Sequence, residues 1–600
     1  MKTLSIKIFI IFMFISGILL LDIFTIQWEN YKNISLIHIF ISIILMVIFI
    51  IPFVNKHIYK YIVIKKVNDY NGWLLGFLLL SITVSGFYLF LIGNRGGDLF
   101  GIISFNTHLY GSLLLAISLV MHIKNKITTN AVISIFLLMG ISPVQLHSVE
   151  FTKLKTDQND NSHHNKDWTN SAKCKSCHGD IFKQWANSNH KNLAESNPYY
   201  MVLEGLAGEV EGDDFRQWCM GCHNPSGLTT GLKMSGHAMN GNFLKDLIFE
   251  KNAQTLVEGF KKYGPTKLEE GVGCVTCHRI TKVDSFGNAS YTVELNNRKK
   301  YPFEDSHSRI TQYLGEKLIN ANPTIHKESY SNKLYKKSSY CASCHDESSP
   351  ITGKKIVSTF KEWEKSSYNS PDNPKENKNC IDCHMTYLKN GKFSPKSGYS
   401  TDGGNLKKDI KVHYFAGSNH FLSGLKSKES ENQTLQLLRT AAKLDVDIKN
   451  NKIYVGVKNV GAGHHLPTGA ADFRELWLEI TLKNSTGKVI FSSGKLKADG
   501  DLTEDARLFR KVFGDKDGLP VGLLFWKYEK LLSDTRIPAG ERRVETYNIP
   551  NNLSYPLSIT VQLNFRIYPQ WVTNAVAKIY PQLPSPPVIE LKKIEKKFIK

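Results

Sequence analysis

Hydrophobic and polar positions divide the chain into three kinds of segment. Over the first 150 residues apolar runs dominate, at about 5–27, 34–54, 73–93, 103–122 and 130–147. Each approaches the roughly 20 residues that cross a bilayer as helix. The last is the shortest and contains Pro143. From Leu444 onward the pattern changes to strict alternation, in Leu444–Ile448, Ile453–Val457, Glu475–Leu482 and Leu557–Leu563, with turn signals such as Asn484-Ser-Thr-Gly487 between them. A period of two with one apolar face predicts antiparallel strands, and the set predicts an immunoglobulin-like β-sandwich. Between these regions neither period is sustained.

The expected layout is therefore multidomain: a transmembrane helical domain at 1–150, a polar linker at 151–170 carrying His163 and His164, a domain of short helices and long loops at 171–430, and the sandwich at 431–600. Charge orients the apolar runs. Lys2, Lys7, Lys56, Lys60, Lys65, Lys66, Lys124 and Lys126 fall on one side, against only Lys32 and Arg95 on the other. The positive-inside rule then predicts a multi-pass protein of a bacterial cytoplasmic membrane, with residue 150 onward on the outer, periplasmic side. No A-x-A-like cleavage site follows the first run, so an uncleaved helix is expected there rather than a signal peptide.

All ten cysteines fall in one motif, used five times: Cys174-Lys-Ser-Cys177-His178, Cys219-Met-Gly-Cys222-His223, Cys274-Val-Thr-Cys277-His278, Cys341-Ala-Ser-Cys344-His345 and Cys380-Ile-Asp-Cys383-His384. C-x-x-C-H is the attachment signature of c-type haem. Two thiols three positions apart reach the two vinyl groups of one porphyrin, and the following histidine ligates the iron. Zinc sites would pair the C-x-x-C arms, and five arms do not pair. A disulfide framework gives no reason for the histidines.

Five covalent haems also change the meaning of the charge. With Lys+Arg 75 against Asp+Glu 54 the chain carries +21, and ionised haem propionates lower this to about +11. No nucleic-acid-binding motif accompanies the basic balance, so nucleic acid is excluded as the expected partner. The basic end Lys592–Lys600 is expected to be a solvated tail.

Six-coordinate c-haems need five more ligands. The candidates are His190, His326, His413, His420 and His464, with His237 and His307 in reserve. His464 lies in a glycine-rich loop, Asn459-Val-Gly-Ala-Gly-His464-His465-Leu-Pro-Thr-Gly469, and is expected to dock the sandwich on a haem. An internal repeat, Phe182-Lys-Gln-Trp185-Ala-Asn-Ser188-Asn-His190 against Phe360-Lys-Glu-Trp363-Glu-Lys-Ser366-Ser-Tyr368, points to a modular origin. Its tryptophans are expected on porphyrin faces.

In the first segment, His38, His57, His108 and His122 are ionisable groups in apolar surroundings and hence functional candidates. His108 and His122 are about 21 Å apart along a helix and within about 40° of one face. Paired with His38 and His57, they would hold two non-covalent b-haems, although His38 and His57 fall about 100° apart on a straight helix. The arrangement resembles the dihaem cytochrome b subunits that exchange electrons with quinones. Residues 170–430, through Trp218–Pro225, Glu270–Arg279, Cys341–Asp346 and Cys380–Met385, resemble the multihaem cytochromes related to hydroxylamine oxidoreductase and its tetrahaem cytochrome partner. That resemblance implies closely stacked haems with mostly bis-histidine ligation.

The function expected is electron transfer between the membrane quinone pool, through two b-haems, and a periplasmic or extracellular redox protein, through five c-haems. A second reading is an enzyme acting on a small nitrogen or sulfur compound at a five-coordinate haem. All five motifs end in histidine, none in the lysine used by multihaem nitrite reductases, and no catalytic residue is identified. A third is a haem-containing docking protein for a reductase.

Overall fold

The computed structural model describes residues 169–229, 270–293, 299–370 and 376–599 apart from isolated positions, and in the first 123 residues parts of 13–19 together with helices at 33–44, 70–91 and 99–123. Two compact units result. The smaller comprises Met1–Glu150, Asn297–Tyr330 and Thr401–Leu406. The larger comprises Phe151–Asn296, Ser331–Ser400 and Lys407–Lys600.

In the smaller unit, α1 (33–44), α2 (Tyr70–Leu91) and α3 (Leu99–Ile123) follow the apolar runs. Leu78 and Leu115 are buried between α2 and α3, with Leu79 and Ile82 packed against them. Among the described residues no helix is long and apolar enough to cross a membrane. This overturns the N-terminal transmembrane bundle and, with it, the multi-pass inner-membrane placement. A span turns its apolar face to lipid, whereas apolar residues of these runs are used in packing within the unit, as Leu36 and Ile39 of α1 are against Tyr301 and Leu318. The runs at 5–27 and 34–54 are described only in part, and that at 130–147 lies outside the described residues. The chain is instead a mixed helical and sheet protein.

Up to residue 440 the larger unit is built mostly of short helices, with small two-stranded ribbons such as Ile280–Val283 against Tyr291–Val293. Local chemistry starts the helices. Asn197 accepts from the backbone N–H groups of Tyr199 and Tyr200, with Pro198 in the first turn, to open α5 (Pro198–Glu211). Asn379 and Asp382 form a reciprocal capping box on the helix Cys380–His384. Ser427 caps Lys428–Thr440, whose first turn carries Glu429 and Glu431 and whose last carries Arg439.

Beyond residue 440 two larger antiparallel sheets form, with a two-stranded ribbon of Lys511–Gly514 and Lys530–Asp534 besides. The strands of the larger sheets are β1 (Ala442–Lys449), β2 (Lys452–Asn459), β3 (Glu475–Lys483), β4 (Val489–Ser493), β5 (Arg507–Leu508), β6 (Arg542–Asn548), β7 (Leu557–Arg566) and β8 (Ile589–Phe598). One sheet has the order β6-β2-β1. The other runs β4-β3-β7-β8, with β5 also on β3. The alternation read from sequence sets the buried faces: Ile453, Val455 and Val457 from one sheet share a core with Leu476, Leu478, Ile480, Leu482, Ile559, Val561 and Leu563 from the other. The basic C-terminal run is a strand and not a tail. Leu557 through Phe565 pair with it over residues 589–598, where Leu591 is buried and the lysines, in adjacent pairs at 592–593 and 596–597, fall on both faces of an edge strand.

Candidate haem-binding site

Each C-x-x-C-H motif lies in one short helical turn. The first occupies a 3₁₀ turn, Ser171–Ser176, running into α4 (Gly179–Ala186); the others lie in Arg216–His223, Cys274–His278, Ser338–His345 and Cys380–His384. One helical turn places the two thiols and the histidine on the same side, as haem attachment requires. The ring nitrogens are assigned by their partners. His178 Nδ1 donates to Ser400 O at 2.5 Å, His223 Nδ1 to Leu193 O at 2.8 Å and His384 Nδ1 to Ala416 O at 2.6 Å. Each bond leaves Nε2 as the nitrogen available to a metal.

Opposite these histidines stand others brought from far along the chain. The His190 and His345 rings lie 6.2 Å apart, and those of His384 and His464 lie 6.3 Å apart, centre to centre. Two metal–nitrogen bonds of about 2 Å each take up about 4 Å of such a separation. The rest is the distance of about 1 Å from each nitrogen to its own ring centre. Both pairs therefore fit a metal between them. His413 lies close enough to His278 and His178 to feel their charge, and its Nδ1 is held by Lys411 O at 3.1 Å. Burial pushes His190 and His413 down to about 3 and His464 down to about 4, so all three are neutral and able to ligate.

His420 is fully buried at the start of His420–Lys426, with no hydrogen-bond partner on either ring nitrogen. His326 falls in the smaller unit, its ring 4.9 Å from that of Tyr330. His237 and His307 lie outside the described residues, as does His57, and the His122 side chain is not among those described. His38 and His108 do meet, in the smaller unit, with ring centres 6.3 Å apart.

The motifs also touch one another. The thiols of Cys174 and Cys274, of Cys222 and Cys344, and of Cys341 and Cys380 lie within hydrogen-bonding reach. Haem one therefore neighbours haem three, haem two neighbours haem four, and haem four neighbours haem five, an order that differs from the order along the chain.

The tryptophan repeat has a role that sequence reading missed. Trp185 Nε1 donates to Val272 O at 2.8 Å, and Trp363 Nε1 donates to Lys378 O at 2.9 Å. Each acceptor stands two residues before the first cysteine of a later motif. In parallel, Ser171 Oγ accepts from Cys274 N at 2.9 Å, and Ser338 Oγ accepts from Cys380 N at 3.2 Å. Each serine stands three residues before the first cysteine of an earlier motif. Motifs one and three are thus joined as motifs four and five are. The signal was present as Ser-x-x-Cys-x-x-Cys-His at 171–178 and 338–345, but serine is too common before a helix to stand out.

The two copies diverge at one position. His190 of the first faces His345. Its counterpart, Tyr368, donates to Val460 O at 3.0 Å and packs on the glycine-rich loop. A Cβ on Gly463 would lie 3.2 Å from the Tyr368 ring and 3.4 Å from that of Trp363, which is why the loop carries glycine there. Asn459 Nδ2 holds His464 O at 2.8 Å. Glu362 accepts from His465 N at 3.2 Å and from Thr468 Oγ1 at 2.6 Å, and pairs with buried Arg536 at 2.6 Å. This network fixes the loop that presents His464 to His384.

Residues 173–241 and 340–402 match the family described as cytochrome c554 and c-prime. The chain is a multihaem c-type cytochrome. No curated protein matches it. Among solved structures, a penta-haem cytochrome c552 from Thermochromatium tepidum aligns over 72% of this chain and 100% of its own length, at 21% identity and a TM-score of 0.45, too distant to carry weight. The cytochrome motifs hold covalent haem c; nothing in the family match speaks for haem b.

Proposed function

We propose that this multihaem cytochrome is an electron relay. Five c-haems accept electrons one at a time and pass them to a redox protein partner. The observation that carries the reading is the combination of facing histidines, His190 with His345 and His384 with His464, and thiol contacts between motifs. Iron held by two histidines has no open position for substrate, and neighbouring haems at thiol contact exchange electrons readily. His178, His223, His278, His345 and His384 serve as the motif-side ligands, His190, His413 and His464 as the opposing ones. His420, buried with no hydrogen-bond partner on either ring nitrogen, is a further candidate ligand. A quinone, expected from the apolar spans, has no part in this reading.

The test is electron paramagnetic resonance of the oxidised protein, with stopped-flow reduction followed in the haem bands. Low-spin signals from every c-haem and reduction of all five without an added substrate are expected. A high-spin haem that binds nitrite or hydroxylamine and turns it over would replace the relay with an enzyme.

A further inference from the structure

The smaller unit contains no cysteine, yet it repeats the histidine geometry of the haem motifs. Its His38–His108 spacing of 6.3 Å equals that of His384–His464. The surroundings of the two rings correspond atom for atom. Ser16 Oγ donates to Met13 O at 3.1 Å and lies 2.8 Å from His38 Nδ1; Ser85 Oγ donates to Ile82 O at 3.0 Å and lies 3.5 Å from His108 Nδ1. Ser42 Oγ donates to His38 O at 2.6 Å, and Ser112 Oγ to His108 O at 2.5 Å. A Cβ on Gly17 would come within 3.2 Å of His38 Cε1, and one on Gly86 within 2.7 Å of His108 Cε1. Each half therefore consists of Ser-Gly on one helix and His-x-x-x-Ser on the next, and the halves are two copies of one helical hairpin.

The hydrogen bonds decide the tautomers. Ser16 spends its proton on Met13, so its oxygen accepts from His38 Nδ1–H. His108 Nδ1–H donates to Ile82 O at 3.0 Å. Both Nε2 lone pairs are left free across the gap. A bare metal ion does not fit: among the described residues no group of three or more His, Cys, Asp or Glu is placed to hold one. Two facing histidines with no third protein donor suit an iron whose other four positions come from a planar macrocycle, and with no thiol present that macrocycle is held without covalent bonds.

We infer that the duplicated hairpin binds one non-covalent, bis-histidine haem between His38 and His108, a sixth one-electron centre that cycles between ferric and ferrous iron. The glycines give each imidazole the room to stand upright against its helix, and the serines lock it. The site is independent of the c-haem relay.

The test uses the full chain. Acid–acetone extraction followed by pyridine haemochrome assay separates free haem from covalent haem. One extractable haem per five retained is expected, falling to none in His38→Ala and in His108→Ala while the five covalent haems remain. Because either variant could lose the hairpin itself, His108→Gly with added imidazole is the second arm, and recovery of the low-spin spectrum is expected. No extractable haem in the intact protein, extractable haem undiminished in both alanine variants, or His108→Gly unresponsive to imidazole would overturn the inference. A changed spin state at the covalent haems would bear only on the relay.

Discussion

Glu362 is the residue through which the haem region holds the sandwich loop, and removing it tests how the sixth ligand of haem five is supplied. Its carboxylate is nearly buried and meets Arg536 at 2.6 Å, Thr468 Oγ1 at 2.6 Å and His465 N at 3.2 Å. Breaking a buried ion pair by removing one partner costs about 3–5 kcal/mol. Here Arg536 keeps Asp534 through bonds of 2.8 and 2.9 Å, so Glu362→Ala is expected near the low end, about 3 kcal/mol. Glu362→Gln keeps the shape and the neutral hydrogen bonds and should cost about 1–2 kcal/mol. The consequence for the haem is larger than the consequence for the fold, because the lost contacts are those of the residues adjoining His464. Guanidinium unfolding followed by far-ultraviolet circular dichroism reads the first effect, and the high-spin fraction in electron paramagnetic resonance reads the second. One haem in five should gain high-spin character in Glu362→Ala, and less in Glu362→Gln. An unfolding midpoint shifted by less than the equivalent of about 1 kcal/mol, together with an unchanged low-spin spectrum, would refute the account.

Other outcomes follow from the same geometry. His190→Ala and His464→Ala should each convert a single c-haem to high spin, haem four in the first and haem five in the second, with all five haems still covalently attached. Ser171→Ala and Ser338→Ala each remove the side-chain acceptor of a backbone N–H and should lower stability by about 1 kcal/mol apiece, measured by thermal unfolding. Arg566 is buried against Glu475 at 2.6 Å within the sandwich, so Arg566→Met should lower the denaturant midpoint of that region, the glutamate being left buried without its charge partner. On pH, burial pushes His190 and His413 down to about 3 and His464 down to about 4, and an iron bond at Nε2 would lower them further, against about 6.5 unfolded. The unfolded chain therefore binds more protons below 6.5. Stability should be level above that pH and fall as pH drops toward 4, by up to about 1.4 kcal/mol per pH unit for each group; denaturant titrations at fixed pH steps would show the slope.

Much of the chemistry was legible in the chain because it is local. C-x-x-C-H binds haem through atoms within one helical turn, so its reading needs no fold. Alternation at 453–457, 475–482 and 557–563 is likewise local, since a pleat sends neighbouring side chains to opposite faces whatever packs on them. Apolar run length was misleading for the opposite reason. It reports composition over a window, and composition does not say what an apolar side chain packs against: Leu36 and Ile39 meet Tyr301 and Leu318 from far along the chain. The basic run at 592–600 failed in the same way: its lysines look solvated, and an edge strand leaves most of its side chains solvated.

What only the tertiary structure decided is pairing. Nothing near Cys341 indicates that His190 faces His345, or that a loop of the sandwich delivers His464 to His384. An iron accepts any imidazole that arrives with the right geometry, so the choice is made by which segments the fold brings together. The divergence of His190 and Tyr368 shows the same rule within one repeat. Equivalent positions on equivalent helices met different neighbours: one side chain faces another histidine, and the other supports a glycine loop. The sequence by itself determined how many haem-attachment motifs the protein carries and where each lies; the fold determined which histidines face them and which motifs are neighbours, because those depend on distances between residues that the chain keeps far apart.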